Sequence, residues 1–239
     1  MNTTTLTDKT LPTPGRRAWG LGLLLIAEAL LSFAPMAVLG PAISWPASLS
    51  NPAAQQLAAI SAAPTAVTTG YAIYLAYSLM IAPLMIVLAA RTFGSLAHPL
   101  PATVAAFAAL SALARAIGIL RWLTVMPVLG AAHVTADAAT RAQIELVFSA
   151  ITRYGGGIGE ILGVSLLMAA SLATLCAGAL RQRAMPNWLA ALGLIAAAAL
   201  AGMALPTLGL PFAVPTAAAV SLLSLWMLAA GLHILARRA

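Results

Sequence analysis

The chain is cut into apolar blocks that are each long enough to cross a lipid bilayer. A helix needs roughly 20 apolar residues to span ~30 Å of hydrocarbon. Such blocks run over about 19–39, 66–90, 102–126, 157–180, 188–208 and 213–235. They leave no room for a separate soluble domain. Of the 239 residues, 62% are hydrophobic and 7% charged, against about 25% charged in a soluble domain. The expected fold is all-α: a polytopic transmembrane helical bundle of about six spans.

The connections set its limits. Residues 1–15 are polar, Thr-rich and broken by Pro12 and Pro14, which reads as a disordered tail. Residues 16–239 then form one transmembrane domain. Arg16 and Arg17 precede a first block too long for a cleaved signal peptide and followed by further spans, so an uncleaved first helix is expected. Pro35 should kink that helix. Asn51-Pro52 reads as a cap and first turn, opening a short helix whose Leu57 and Ile60 lie at the interface. Tyr71, Tyr74 and Tyr77, spaced by three, read first as an interfacial aromatic belt and second as a ligand-facing patch. Pro127 and Gly130 should stop the third span. Thr140 and Gln143 match a capping box, which predicts an amphipathic surface helix over about 141–154. Its end falls at Gly155, Gly156 and Gly157.

The net charge of +7 does not point to nucleic acid. The arginines stand singly or in pairs at block ends, without a basic face interleaved with aromatics. They act as topology signals instead. With both termini inside, the inner side carries Lys9, Arg16, Arg17, Arg91, Arg181, Arg183, Arg237 and Arg238, and the outer side only Arg141 and Arg153. That bias predicts both termini in the cytoplasm.

Arg115 and Arg121 remain inside the third span. A charge at the bilayer centre is costly by ~2.5–3.5 kcal/mol on insertion scales, so it calls for a partner, a cavity or a site. Counting ~1.5 Å per residue from the inner boundary pairs Glu28 with Arg115 and Glu160 with Arg121. Six residues apart, the two arginines point about 120° away from each other and can reach different partners. Arg115, Gly118 and Trp122 share a face, where the guanidinium could stack on the ring. Gly155, Gly159 and Gly163, four apart, present a small-residue face to another helix.

Two accounts of these charges stand side by side. In one they are glue between spans 1, 3 and 4. In the other they border a polar pocket open to the outside, floored by Arg115 and Glu28. Such a pocket would bind, sense or move a small anionic or amphiphilic molecule. A structural or regulatory subunit that docks a partner membrane helix through the glycine face is the alternative. A lipid-acting enzyme comes third, because no residue is nominated as a nucleophile. Nothing predicts a cofactor or a metal: His98, His133 and His233 match no ligand spacing. Cys176 is the one cysteine, so no disulfide forms within the chain and a buried packing role is expected. The one lysine is Lys9, which excludes a retinal Schiff base within a span.

Arg16-Arg17, the segment from Ala112 to Arg121, the glycines from Gly155 to Gly163, and the segment from Met185 to Leu194 together resemble a bacterial family of six-span proteins. That family is filed as domain of unknown function four thousand three hundred and eighty-six. The resemblance covers about Arg16 to Leu235. It implies six helices and a bacterial inner-membrane location, and it implies no activity.

Overall fold

The computed structural model describes residues 14–237; most of the tail expected at 1–15 lies outside them. The helices are α1 (Pro14–Leu31), α2 (Ala34–Ile43), α3 (Ala53–Ala62), α4 (Pro64–Phe93) and α5 (Pro99–Thr135). They continue with α6 (Ala138–Gly156), a π-helical segment (Gly157–Leu167), α7 (Met168–Gln182), α8 (Asn187–Gly202) and α9 (Thr216–Ala236). There is no strand among the described residues. Five units are long and apolar enough to cross a membrane: Trp19–Ile43, Pro64–Phe93, Pro99–Thr135, Ala138–Gln182 and Thr216–Ala236. The shorter apolar α8 is the sixth. The protein is an all-α polytopic transmembrane bundle.

Backbone chemistry explains the breaks. Pro35 has no N–H to offer the Leu31 carbonyl, so α1 ends there and α2 begins at Ala34. The Ser32 hydroxyl bridges the break by donating to the Ala29 carbonyl at 2.7 Å.

Three expected boundaries are corrected. Pro127 and Gly130 do not stop the third span; α5 passes both and ends at Thr135. A proline removes one hydrogen bond, which a transmembrane helix tolerates when its neighbours hold it. Here α3 does so, with the Ser61 side chain and the Leu57 carbonyl packed close to Gly130. Leu57 and Ile60 are therefore buried under α5 rather than facing the interface. Thr140 does not cap α6. Asp137 does, accepting from the Thr140 amide at 2.8 Å. Gly155, Gly156 and Gly157 do not end that helix either, because Gly156 and Gly157 hold right-handed helical angles. Helix α6 therefore runs without a gap through the π segment into α7, over Ala138–Gln182.

Helix α5 is central. It packs against α4, the π segment, α7, α3 and α6. At ~1.5 Å per residue its 37 residues reach ~55 Å, well beyond ~30 Å of hydrocarbon. At its polar end near His133, α5 forms a hairpin with α6. His133 Nε2 and Glu145 Oε1 lie 2.9 Å apart across it. Helix α1 runs against α9, with Gly22 close to Gly231 and Leu235.

The interior holds two apolar cores. One joins Leu25, Ile81, Ala108, Leu172, Leu200 and Trp226, and on α9 it extends from Ala219 to Ala230. Cys176 belongs to it, fully buried. The other joins Leu39, Leu57, Tyr71, Trp122, Met126 and Phe148. On α5 the first core includes Ala112 and the second begins at Ile119, and Arg115 falls between them. On α4, Tyr77 falls between Tyr71 and Ile81 in the same way. The buried charge occupies the seam between the two cores.

Candidate functional site: an arginine-lined cavity

The seam opens into a cavity of about 320 Å³. Its size is near the lower end of ligand pockets, which run roughly 300–1,000 Å³. Arg115, Arg121, Trp122 and Glu160 all line it. Glu28 does not, although it is buried nearby on α1. The pocket expected among spans 1, 3 and 4 also takes walls from span 2 (Tyr71, Tyr74, Tyr77) and span 6 (Thr216, Val220, Ser221, Ser224).

Neither expected ion pair forms. Among the described residues the one pair within ion-pair distance is His133 with Glu145. Arg115 instead lays its guanidinium over the Tyr77 ring, 5.0 Å from the centroid, and Nη2 donates to the Tyr77 hydroxyl at 3.4 Å. Arg121 takes the place beside Trp122 that Arg115 was expected to hold, 5.5 Å from the ring centroid. Its Nη1 donates to the Gly118 carbonyl at 2.6 Å. The physical reason is reach. Arg115 points toward α4, where an aromatic face and a hydroxyl satisfy part of the guanidinium, and Glu28 stays buried beyond ion-pair distance.

Trp122 is fixed from two sides. It stacks on Tyr71 at 4.7 Å with the planes 4° apart, and Phe148 meets it edge-on at 6.3 Å. Tyr74 bridges Tyr77 and Trp45. The tyrosines are thus a cavity wall, and the belt reading of them is corrected. Their spacing of three along α4 was the available signal. Ser221 and Ser224, also three apart in an otherwise apolar span, carried a weaker one. Ser224 meets Ser32 across the α1–α9 junction at 3.0 Å.

The glycine face is turned inward, against α5 of the same chain. A Cβ on Gly155 would strike the Arg121 side chain, and one on Gly163 would lie 2.9 Å from Arg115 Cγ. Between them Gly159 faces Gly118: a Cβ on Gly118 would sit 2.6 Å from the Gly159 Cα. The three glycines therefore seat the two arginines and let α5 approach the π segment. Ser111 adds a hydroxyl bond to the Gly163 carbonyl at 2.8 Å.

The donors left over define what the site can do. Arg115 is 2% exposed, yet its Nε and Nη1 meet no acceptor among the described residues. Arg121 Nε is buried without a partner too. Guanidinium groups with open donors match the geometry of a carboxylate or phosphate.

Fold and site together define a multipass helical membrane protein with a charged cavity bordered by its spans. The family described as domain of unknown function (DUF4386) matches residues 21–231, and the chain belongs to that family. No curated protein and no solved structure matches it.

Proposed function

We propose that the cavity binds a small molecule through an anionic group, a carboxylate or a phosphate, as the binding step of sensing or transport. One observation carries this reading: Arg115 is buried on the cavity wall with two guanidinium nitrogens, Nε and Nη1, unpaired among the described residues. A structural arginine would have its donors closed by side chains or carbonyls, since unmade hydrogen bonds in an apolar interior are expensive. The lining carries two guanidinium groups and the one carboxylate of Glu160, with Glu28 buried nearby outside it; the open guanidinium donors, rather than net charge, favour an anion. The distribution of basic residues supports an orientation with both termini in the cytoplasm and the cavity in the outer half of the membrane, and the family resemblance supports a bacterial inner membrane.

Native mass spectrometry of the purified protein beside Arg115→Met tests this. Methionine keeps much of the side-chain length and removes every donor. We expect a bound anionic mass on the wild type that is missing from the folded variant. The same mass on both proteins, or none on either, would overturn the reading.

A further inference from the structure

The cavity has a roof and an open flank, and they differ in chemistry. Trp45, Pro46 and Leu49 lie over the far end, where the chain leaves the bundle toward α3. On the flank, Phe33 and Met36 stand at one edge, 52% and 45% exposed. Thr216, Ala217 and Ser221, all exposed, stand at the other. Both edges belong to membrane-spanning units, Trp19–Ile43 and Thr216–Ala236. Helix α9 packs on α1 and α8, and its first turns border the opening. Both units are apolar enough to cross a membrane, which in this reading puts that flank toward the leaflet.

A water-borne anion would have to pass an apolar roof or cross lipid to reach Arg115. A molecule already in the leaflet would not. Its head group could slide between the edges to the arginines while its chain stayed among lipid tails. The cavity volume, near the lower limit for ligand pockets, suits a head group with the first part of a chain rather than a whole two-chain lipid. From this, and resting on the anion-binding reading above, we infer that the ligand is a single-chain anionic amphiphile. It is drawn sideways from the leaflet through the gap between α2 and α9, with its phosphate or carboxylate at Arg115 and Arg121. The exposed apolar Phe33 and Met36 then receive the chain where it leaves the protein.

The probes are 1-oleoyl lysophosphatidic acid, glycerol 3-phosphate (the same head without the chain) and 1-oleoylglycerol (the same chain without the phosphate). Each is titrated into purified protein in lipid nanodiscs, with binding read by native mass spectrometry. We expect lysophosphatidic acid to bind at least ~10-fold more tightly than either fragment, since chain methylenes and head group both contribute. Ser221→Trp and Ala217→Trp change exposed rim positions away from the arginines. Each should weaken lysophosphatidic acid by a larger factor than glycerol 3-phosphate, because the rim meets the chain before the head group, with wild-type unfolding midpoints confirming the fold. Equal binding of lysophosphatidic acid and glycerol 3-phosphate would overturn lateral capture and leave anion binding standing. Unchanged amphiphile affinity in both folded rim variants would do the same. Tight 1-oleoylglycerol binding would overturn the head-group assignment. If no phosphate compound binds, and oleate and acetate titrated in the same way do not bind either, the anion-binding reading fails with it.

Discussion

Replacing Gly118 with alanine should loosen the contact that seats both arginines. The new Cβ would lie 2.6 Å from the Gly159 Cα and 2.8 Å from the Gly155 carbonyl oxygen. Carbon atoms pack comfortably at ~3.5–4.0 Å. Both obstacles are backbone, so no side chain can swing aside, and α5 and the π segment must part by on the order of 1 Å to restore that spacing. Overpacking of this kind costs about 1–3 kcal/mol. Alanine's better helix propensity returns roughly 0.8–1.0 kcal/mol, which leaves a net loss of up to about 2 kcal/mol. Gly157→Ala is the matched control. Nothing lies within 4 Å of its new Cβ, so only the propensity gain remains, about 1 kcal/mol of stabilisation in a helix interior. Unfolding in mixed micelles with increasing dodecyl sulfate, followed by far-ultraviolet circular dichroism, measures both. The two midpoints should move in opposite directions. A Gly118→Ala midpoint at or above wild type would refute the close-contact argument.

Two further outcomes follow from local bonds. The Ser171 hydroxyl donates to the Val104 carbonyl at 2.9 Å, and hydrogen bonds between transmembrane helices average about 0.6 kcal/mol. Ser171→Ala should therefore lower stability by about that amount in the same assay; a loss above about 2 kcal/mol would mean the hydroxyl does more than join α5 to α7. At the start of α6, the hydrogen bond from the Thr140 amide holds the Asp137 carboxyl below its ordinary pKa. A carboxyl depressed by folding contributes stability above its unfolded pKa and loses it as pH falls through the folded one. The cap should thus be complete at neutral pH, begin to weaken near the ordinary aspartate value of about 4, and be lost only once the pH falls below the depressed folded value. Amide exchange at Thr140, corrected for intrinsic rates, should quicken on acidification, and Asp137→Ala should show the fast rate at neutral pH. A pH-independent Thr140 rate would argue against the cap.

The architecture was legible because bilayer thickness acts on composition, and composition needs no knowledge of neighbours. Six apolar blocks stood out for that reason, and so did Arg115 and Arg121 as charges in the wrong solvent. Partners were not legible. Depth counting placed Glu28 and Arg115 at similar heights but could not say which way each pointed, and Arg115 turned to Tyr77 instead. Depth is set by sequence position alone, whereas azimuth depends on how every helix packs. The same limit hid the role of the tyrosines: a belt at the membrane edge and a cavity wall have the same spacing. Pro127 and the triple glycine misled for a related reason. Both are stop signals for a helix in water, but here α3 holds the helix around Gly130 and α5 lies along the glycines, so the chain stays helical through both.

The hairpin of α5 and α6 has a practical meaning. These helices continue out of the apolar spans and are tied by the His133–Glu145 contact, while Arg141 donates to the His133 and Val134 carbonyls at 3.2 and 3.3 Å. The turn between them is only Ala136 and Asp137. A helical module spliced in at Ala136, in phase with α5, would extend a stiff rod instead of hanging from a flexible loop. It would project from the detergent belt at a fixed angle, giving a small membrane protein the rigid landmark that single-particle imaging needs for alignment.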